Sequence, residues 1–309
     1  MRRPPVTEAP HPAGEDLERL SIPRLVARLH AGDREAVAAV GRALPRIASL
    51  AELAAAALGG GGRLVYVGAG TSGRLGALDA AECPPTFGVD PSRVLALVAG
   101  GARALRRSIE GAEDDRGAGA AAVRRVAVGA GDLVVGVSAS GRTPFVLAAL
   151  REARRLGART ALVTSAPDAR AAADVRVVLA TGPERIAGST RMKAGTAAKM
   201  ALGLVSSAAF VRLGAVRGGR MIALRAVSAK LRGRAVRTVA DLASVTAAAA
   251  RRALEREGWD VRAAIEAAGS RGSRFGSSSG SDSKSRSRSR SRSESRSKPK
   301  SGSRSAAPR

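Results

Sequence analysis

Aromatic, sulfur-containing and imidazole side chains are scarce in this 309-residue sequence. Phe, Trp and Tyr make up 2% of the chain, so the core has to consist mainly of Ala, Val, Leu and Ile. Residues 270–309 contain one of these rings, Phe275, and so offer no platform for stacking nucleic-acid bases. The single cysteine, Cys83, cannot form an internal disulfide bond and indicates a reducing compartment. With two His residues beside it, the chain offers no His/Cys cluster for a metal ion.

Long apolar segments are also missing from the sequence. No apolar run approaches the eighteen or more residues that a membrane span needs. Residues 1–16 contain no hydrophobic signal segment. These absences predict a cytoplasmic protein with no membrane partner.

Negative charge is scarce, because 26 Asp and Glu residues stand against 52 Lys and Arg residues. The net charge of +26 raises the hypothesis of nucleic-acid binding. Much of the excess lies in residues 270–309, a Ser-Arg tail that is too polar to form a core and is predicted to be disordered. The tail could bind a polyanion through charge alone, but Phe275 is its one aromatic residue. Specific nucleic-acid binding is therefore not expected.

A strand, a turn and a helix are predicted in residues 61–88. Leu64–Val67 is a short apolar run typical of a buried parallel strand. Thr71 and Ser72 supply hydroxyls where the helix is expected to begin, and the turn is rich in glycine, at Gly68, Gly70 and Gly73. Free N–H groups, the helix N-terminus and the hydroxyls together form a small anion site suited to a phosphate monoester. A capped turn that binds nothing is the alternative.

The turn matches neither of two well-known nucleotide motifs. No Lys-Ser/Thr pair follows the glycines, so it is not a P-loop, and GAGTSG lacks the third-glycine spacing of the dinucleotide fingerprint. Pro84 and Pro85 are expected to end the helix. Glu82 then lies about ten residues beyond Ser72, roughly 15 Å along the helix. The alternative interpretation of Glu82 is a solvated charge at a helix end.

Four further buried strands are predicted at Val94–Val98, Asp132–Val137, Arg159–Thr164 and Asp174–Leu179. Together with the first strand they indicate an α/β fold with a five-stranded parallel sheet and crossover helices. The third strand is followed by a second turn of small hydroxyl residues before Pro144 opens a helix. This turn repeats the organisation of the first one.

The remaining pattern is helical. Two helices are predicted between about Pro23 and Leu58, the second beginning near Pro45, and another from Ala102 to about Ala112. Glu113 belongs to a group of carboxylates beyond that last helix, where the helix dipole disfavours negative charge. A solvated loop is the alternative explanation. A long Ala-rich helix follows Met192 and could be capped by Ser189 or Thr190, and short helices are expected in residues 225–268.

Five motifs carry a resemblance to a known family. They are GGRLVYVGAGTSGRLGALDAAECPPTFGV (61–89), GAEDD (111–115), SASGRTP (138–144), GPE (182–184) and GSTRMKAGTAAK (188–199). The chain resembles the N-acetylmuramic acid 6-phosphate etherases of the sugar isomerase (SIS) superfamily over roughly residues 7–240. The resemblance implies a SIS-type three-layer sandwich. Composition and this resemblance together predict four regions: a Pro-rich polar arm (1–20), the SIS domain with its N-terminal helices (21–224), a small helical region (225–268) and the Ser-Arg tail (269–309).

The resemblance implies a reaction as well. An etherase removes the D-lactyl group from C3 of N-acetylmuramic acid 6-phosphate by elimination and rehydration, which needs two carboxyl groups with different pKa values and no metal or redox cofactor. Glu82 corresponds to the acid that protonates lactate, and Glu113 to the base at C2. The residues that correspond to the substrate-binding set are Gly70, Thr71, Ser72, Ser138, Ser140, Thr143 and Glu184. A homodimer is implied, since SIS sites commonly share residues between subunits.

The chain departs from the family at positions that usually carry Asn or Asp, namely Ala166, Gly203, Gly219, Ala223 and Ser228. A non-catalytic sugar-phosphate sensor, similar to the glucokinase regulatory proteins, is therefore the alternative hypothesis. An aldose-ketose isomerase would also begin by removing the C2 proton, but it would release no lactate. A nucleic-acid-binding protein would lose its activity on deletion of residues 270–309.

Overall fold

The computed structural model describes residues 6–11, 16–223, 226 and 228–275. Most of the Ser-Arg tail, beyond residue 275, lies outside the described residues. The predicted sheet is confirmed. Its strands are β1 (Leu64–Gly68), β2 (Val94–Val98), β3 (Leu133–Val137), β4 (Arg159–Thr164) and β5 (Val175–Val178). All are parallel, in the order β2-β1-β3-β4-β5, so β1 and β3 are neighbours and their carboxyl ends lie side by side.

Helices cover both faces of the sheet. They are α1 (Ile22–Gly59), α2 (Gly70–Phe87), α3 (Arg116–Arg125), α4 (Pro144–Arg155) and α5 (Lys193–Arg212). Successive strand residues point to opposite faces. Leu64 and Tyr66 of β1 therefore pack with α1, α2 and α5, whereas Val65 and Val67 pack with α3 and α4. The three-layer sandwich follows from this alternation.

Helix α1 is one continuous helix of 38 residues, so the prediction of two helices was wrong. Pro45 lies inside it, where a proline costs about 3 kcal/mol relative to alanine. The apolar face continues across the proline without a change of phase, because Ala43, Ile47 and Leu50 are all buried against α5 and the sheet. Burial of this face offsets the local cost of the proline.

The predicted helix from Ala102 to Ala112 was also wrong. Only a short 3₁₀ turn forms there, at Gly101–Leu105. Arg74 of α2 donates from Nε to the Ala104 carbonyl at 2.9 Å, which uses an acceptor that an α-helix would need. The carboxylates downstream precede helix α3, and Asp115 caps it by accepting from the Ala118 N–H at 2.8 Å. The group thus lies at a helix N-terminus, where the helix dipole favours negative charge.

Helix α2 continues through Pro84 and Pro85, which were expected to end it. It ends at Phe87, where Gly88 adopts a left-handed conformation (φ 64°) and donates to the Pro84 carbonyl at 2.9 Å. A glycine cap of this kind, and not the prolines, sets the end of the helix.

Helix α5 is the one described helix with the length and composition of a membrane span. This helix contradicts the expectation that no apolar run approaches the length of a membrane span. More than half of its apolar window is buried inside the fold, as in the central helix of an α/β domain. A cytoplasmic location without a membrane partner remains a prediction.

The C-terminal region has a core of its own. It contains a small hairpin, β6 (Val216–Arg217) with β7 (Arg220–Met221), and three helices, α6 (Ala229–Ala243), α7 (Ala247–Arg256) and α8 (Val261–Phe275). Val239, Leu254 and Ile265 bring the three helices together. Helix α8 extends to Phe275, beyond the boundary predicted for the tail at residue 269.

Candidate active site

The first turn connects β1 to α2 at the carboxyl edge of the sheet. Gly70 has a positive φ of 51°. A Cβ on Gly68 would lie 2.5 Å from the backbone nitrogen of Gly73, so the close approach of the two segments requires glycine there. Helix α2 begins without a side-chain cap. Within the described part of the chain, the half-buried hydroxyls of Thr71 and Ser72 make no hydrogen bond, so both are available to a ligand.

The second turn connects β3 to α4 beside the first one. The Ser138 and Thr143 hydroxyls are hydrogen-bonded to each other at 2.8 Å, and Ser138 is 2% exposed. Ser140 Oγ accepts from the Arg142 N–H at 3.2 Å. Because β1 and β3 are adjacent and in register, the two turns meet at one edge of the sheet. All six hydroxyl-bearing and glycine positions predicted in the two turns therefore lie at this edge.

Glu113 lies next to the second turn. Its backbone carbonyl accepts a hydrogen bond from the Phe145 N–H at 2.9 Å, in the first turn of α4. Its side chain is exposed. The structure therefore brings Glu113 to the carboxyl edge of the sheet, near the N-terminus of α4.

Glu82 lies elsewhere in the same chain. Helix α2 runs from the carboxyl edge towards the opposite edge of the sheet, and Glu82 is twelve residues beyond its first residue, roughly 18 Å along the axis. It is exposed, and its neighbour Cys83 packs on the α1/α5 face. One copy of the chain thus does not bring Glu82 and Glu113 together.

Glu184 occupies a structural position. It is fully buried, and its two carboxylate oxygens accept hydrogen bonds from the backbone N–H groups of Lys193 (3.0 Å) and Ala194 (2.9 Å). It caps α5, so the expectation that Ser189 or Thr190 caps this helix was wrong. Burial raises the pKa of Glu184, although the two N–H groups oppose this shift.

A partly buried ion cluster holds the same helix end to α1. Lys193, 2% exposed, donates from Nζ to Glu35 at 2.5 Å, and Arg185 forms a second ion pair with Glu35. Burial raises the pKa of Glu35, but the hydrogen bond and charge of Lys193 outweigh it, and the pKa is lowered. The carbonyl of Thr7 also accepts from the Gly188 N–H at 3.0 Å, which ties the N-terminal arm to this loop.

A narrow cleft of about 10 Å³ opens where the turns meet the start of α5. Its lining includes Ser72, Thr164, Ser165 and Thr190. The site residues predicted from the sequence do not include Thr164 and Ser165. Thr164 ends β4 and Ser165 directly follows it, as Ser138 follows β3, and that position was the available signal. The cleft has room for about one water molecule, so a sugar would have to lie outside it.

A second polar cluster is buried on the α1/α5 face. Tyr66 donates to Asp79 at 2.7 Å, and Ser206 donates to the other Asp79 oxygen at 3.0 Å. Burial raises the pKa of Asp79, and it raises the pKa of Cys83 to about 12. A thiol with so high a pKa is a poor nucleophile. The hydrogen bonds of this cluster connect β1, α2 and α5. Among the described residues, no group of His, Cys, Asp and Glu is arranged to hold a metal ion.

Comparison with known protein families identifies one domain in the chain. A family model described as the glucokinase regulatory protein N-terminal SIS domain matches residues 46–154. The matched segment includes both turns, Glu82 and Glu113.

Curated relatives cover much more of the chain. It is 46% identical over 262 residues to an N-acetylmuramic acid 6-phosphate etherase of Serratia proteamaculans, covering 84% of this chain and 88% of that protein. The protein of the same name from Symbiobacterium thermophilum is 49% identical over 264 residues (85% and 88%). That from Gloeobacter violaceus is 48% identical over 262 residues (84% and 86%).

Solved structures give more distant similarities. A phosphoheptose isomerase from Neisseria gonorrhoeae is 18% identical, with 60% of this chain and 96% of that chain covered and a TM-score of 0.42. One from Francisella tularensis is 13% identical, with coverage of 62% and 98% and a TM-score of 0.44. Both TM-scores are below 0.5, so neither structure bears on the activity of this chain.

Proposed function

The chain belongs to the family of N-acetylmuramic acid 6-phosphate etherases, and we propose that it converts N-acetylmuramic acid 6-phosphate into N-acetylglucosamine 6-phosphate and D-lactate. The observation that carries this proposal is an identity of 46% to 49% with relatives of that name over 84% to 85% of the chain. An enzyme with this activity serves amino-sugar metabolism and the recycling of peptidoglycan.

The reaction is proposed to proceed as a carbon-oxygen lyase step followed by hydration. In the open-chain sugar, the hydrogen on C2 is acidic because C2 is adjacent to the C1 aldehyde. A base removes that proton, a C2=C3 double bond forms, and the C3–O bond to lactate breaks. An acid protonates the departing oxygen. Water then adds at C3 while C2 regains a proton, so the net change is consumption of one water molecule and release of one lactate.

The two turns are proposed to bind the sugar phosphate. The hydroxyls of Thr71 and Ser72 and the free N–H groups at the start of α2 can donate to phosphate oxygens. The Gly70 N–H belongs to this set. On the second turn, the hydroxyls of Ser138, Ser140 and Thr143 lie at the same edge of the sheet. Binding energy from the phosphate would hold C2 and C3 in position for the reaction.

Glu113 is proposed as the base at C2, and Glu82 as the acid that protonates lactate and then activates water. The hydrogen bond from Phe145 supports the first role, because it holds Glu113 beside the second turn. Glu184 is proposed as a positioning residue. Its two hydrogen bonds fix the start of α5, which borders the cleft, and its buried carboxylate is not free to contact a sugar.

A homodimer is proposed to complete the site, with Glu82 supplied by the second copy. The opposite positions of Glu82 and Glu113 in one chain support this arrangement. Apolar side chains are exposed on the same face as α2, among them Val37 (54%) and Leu44 (49%) of α1 and Val211 (51%) of α5. An apolar surface of this kind favours a contact between copies.

The direct test measures D-lactate release from N-acetylmuramic acid 6-phosphate by the wild type and by Glu82→Gln and Glu113→Gln. Each substitution is expected to lower kcat by about 10²- to 10⁴-fold, the usual contribution of a general acid or base. Glu110→Gln, which changes an exposed carboxylate of the same segment, is the control and should keep normal turnover. Sugar-phosphate binding without lactate release by the wild type would instead favour the non-catalytic sugar-phosphate sensor.

Mixing the two inactive variants tests the shared site. In a two-fold dimer, a mixed dimer of Glu82→Gln and Glu113→Gln has one site with both carboxylates intact. Random exchange of equal amounts should therefore restore about a quarter of the wild-type activity. If both carboxylates acted from one chain, the mixture would stay inactive, and the composite site would be refuted.

A further inference from the structure

A second, larger cavity lies outside the proposed active site. It has a volume of about 850 Å³ and lies between α4 and the segment 168–172 that precedes β5. One stripe of α4, formed by Leu147, Leu150, Arg151 and Arg154, lines one side. Cavities of this size commonly bind small molecules. The cleft between the turns is far smaller, so this volume is not part of it.

The lining of the cavity is strongly basic. Four arginines contribute to it, against the single carboxylate of Asp168, which pairs with Arg142 at 2.6 Å. The charge of Arg154 acts on Asp174 nearby. Within the described part of the chain, Arg151 and Arg170 form no ion pair, although they line the same cavity from opposite walls. Uncompensated guanidinium groups that share a cavity attract an anion and repel each other without one.

The cavity touches the second turn directly. Ala169, on the cavity wall, packs against Gly141, and a Cβ on Gly141 would lie only 2.4 Å from the Ala169 Cβ. Arg142 belongs to the turn and also lines the cavity. A ligand that brought α4 closer to the segment 168–172 would therefore change the position of the turn that carries Ser138 and Thr143.

We propose that this cavity is a binding site for a small organic phosphate, held between the guanidinium groups of Arg151 and Arg170, and that its occupancy increases the affinity of the neighbouring turn for the sugar phosphate. Guanidinium groups bind phosphate through paired hydrogen bonds, and two of them facing one cavity balance the two charges of a phosphate monoester. The apolar floor of Leu147 and Leu150 would accommodate the carbon skeleton of the ligand. The binding part of this proposal does not depend on the etherase activity.

Calorimetric titration of the full-length chain with glycerol 3-phosphate tests the site. Two sites per chain are expected in the wild type, one in each location. The double variant Arg151→Gln/Arg170→Gln should lose one site and keep the other. Ser72→Ala/Ser138→Ala should show the opposite loss. The matched control, Arg125→Gln/Arg251→Gln, removes the same charge from exposed positions elsewhere and should keep both sites.

The result that overturns the site is unchanged binding in the Arg151→Gln/Arg170→Gln variant, or an equal loss in the control variant, which would indicate a nonspecific effect of net charge. The regulatory part is tested by the KM for N-acetylmuramic acid 6-phosphate. Saturating glycerol 3-phosphate should lower the KM of the wild type severalfold after correction for competition at the active site, and it should leave that of the double variant unchanged. An unchanged corrected KM in the wild type would overturn the regulation. Absence of lactate release would overturn only the proposed function.

Discussion

The two turns at the carboxyl edge of the sheet have similar sequences but are held in different ways. In the first turn, no atom lies within 4 Å of the position that a Cβ on Gly70 would take, and the Ser72 hydroxyl has no partner among the described residues. In the second turn, Gly141 is packed against Ala169, and Ser138 is bonded to Thr143. The first turn therefore keeps its polar groups available to a ligand. The second uses part of its polar groups to fix its own shape.

The largest difference is expected between the two glycines. Gly141→Ala would place a residue with a Cβ at φ 65°, which costs about 1–2 kcal/mol, and would also force overpacking against Ala169, which costs about 1–3 kcal/mol. Gly70→Ala has the positive φ but no neighbour within 4 Å, so only the first cost applies. Thermal unfolding followed by circular dichroism should show a clearly larger fall in Tm for Gly141→Ala. Equal falls would contradict the difference in packing.

A smaller effect is expected at the hydroxyls. Ser138→Ala removes a buried hydrogen bond and should lower the free energy of unfolding by about 1 kcal/mol. Ser72→Ala should leave it within about 0.5 kcal/mol of the wild type, because its hydroxyl has no protein partner to lose. Both variants should raise the KM for N-acetylmuramic acid 6-phosphate. Urea unfolding together with lactate kinetics separates the two cases, and a comparable loss of stability in Ser72→Ala would show that the first turn is also self-bonded.

The smallest effect is expected for the ion cluster of Glu35, Arg185 and Lys193, which fixes the start of α5 beside the first turn. The lowered pKa of Glu35 means that its contribution to stability is present above its unfolded pKa of about 4.5 and is lost as pH falls through the lower folded value. Glu35→Gln should therefore be less stable than the wild type at pH 6, and the difference should shrink towards pH 3. Urea midpoints at the two pH values measure this.

The control for this prediction is Glu52→Gln, which changes an exposed carboxylate of the same helix. It should follow the wild type at both pH values. A difference between wild type and Glu35→Gln that does not depend on pH would mean that Glu35 stabilises α1 by packing and not by its charge.

Much of the fold could be predicted because its signals are local. The five strands are short apolar runs bounded by glycine or charge, and all five were predicted to within one residue at both ends. Pro144 begins α4 as expected, because its fixed φ suits a first helical position. The second turn was recognised as a repeat of the first for the same reason, since hydroxyl and glycine residues act on their own neighbourhood.

Two of the three errors in the predicted helices share a cause. Pro45 does not break α1, the prolines of α2 do not end it, and Arg74 replaces a helix after Gly101 with a short turn. The end of α2 is set locally by the Gly88 cap, but for α1 and the segment after Gly101 a contact with a distant segment outweighs a local preference of about 1–3 kcal/mol. A local pattern does not contain that contact.

The sequence by itself therefore determined the strands, the two turns and the kind of ligand that they suit, since these depend on the chemistry of neighbouring residues. Only the tertiary structure decided where the carboxylates lie. Glu184 turned inward to cap α5, and Glu82 and Glu113 came to opposite ends of the sheet. The physical reason is that helix direction and burial, which depend on the packing of the whole chain, set the position of a side chain relative to a distant one.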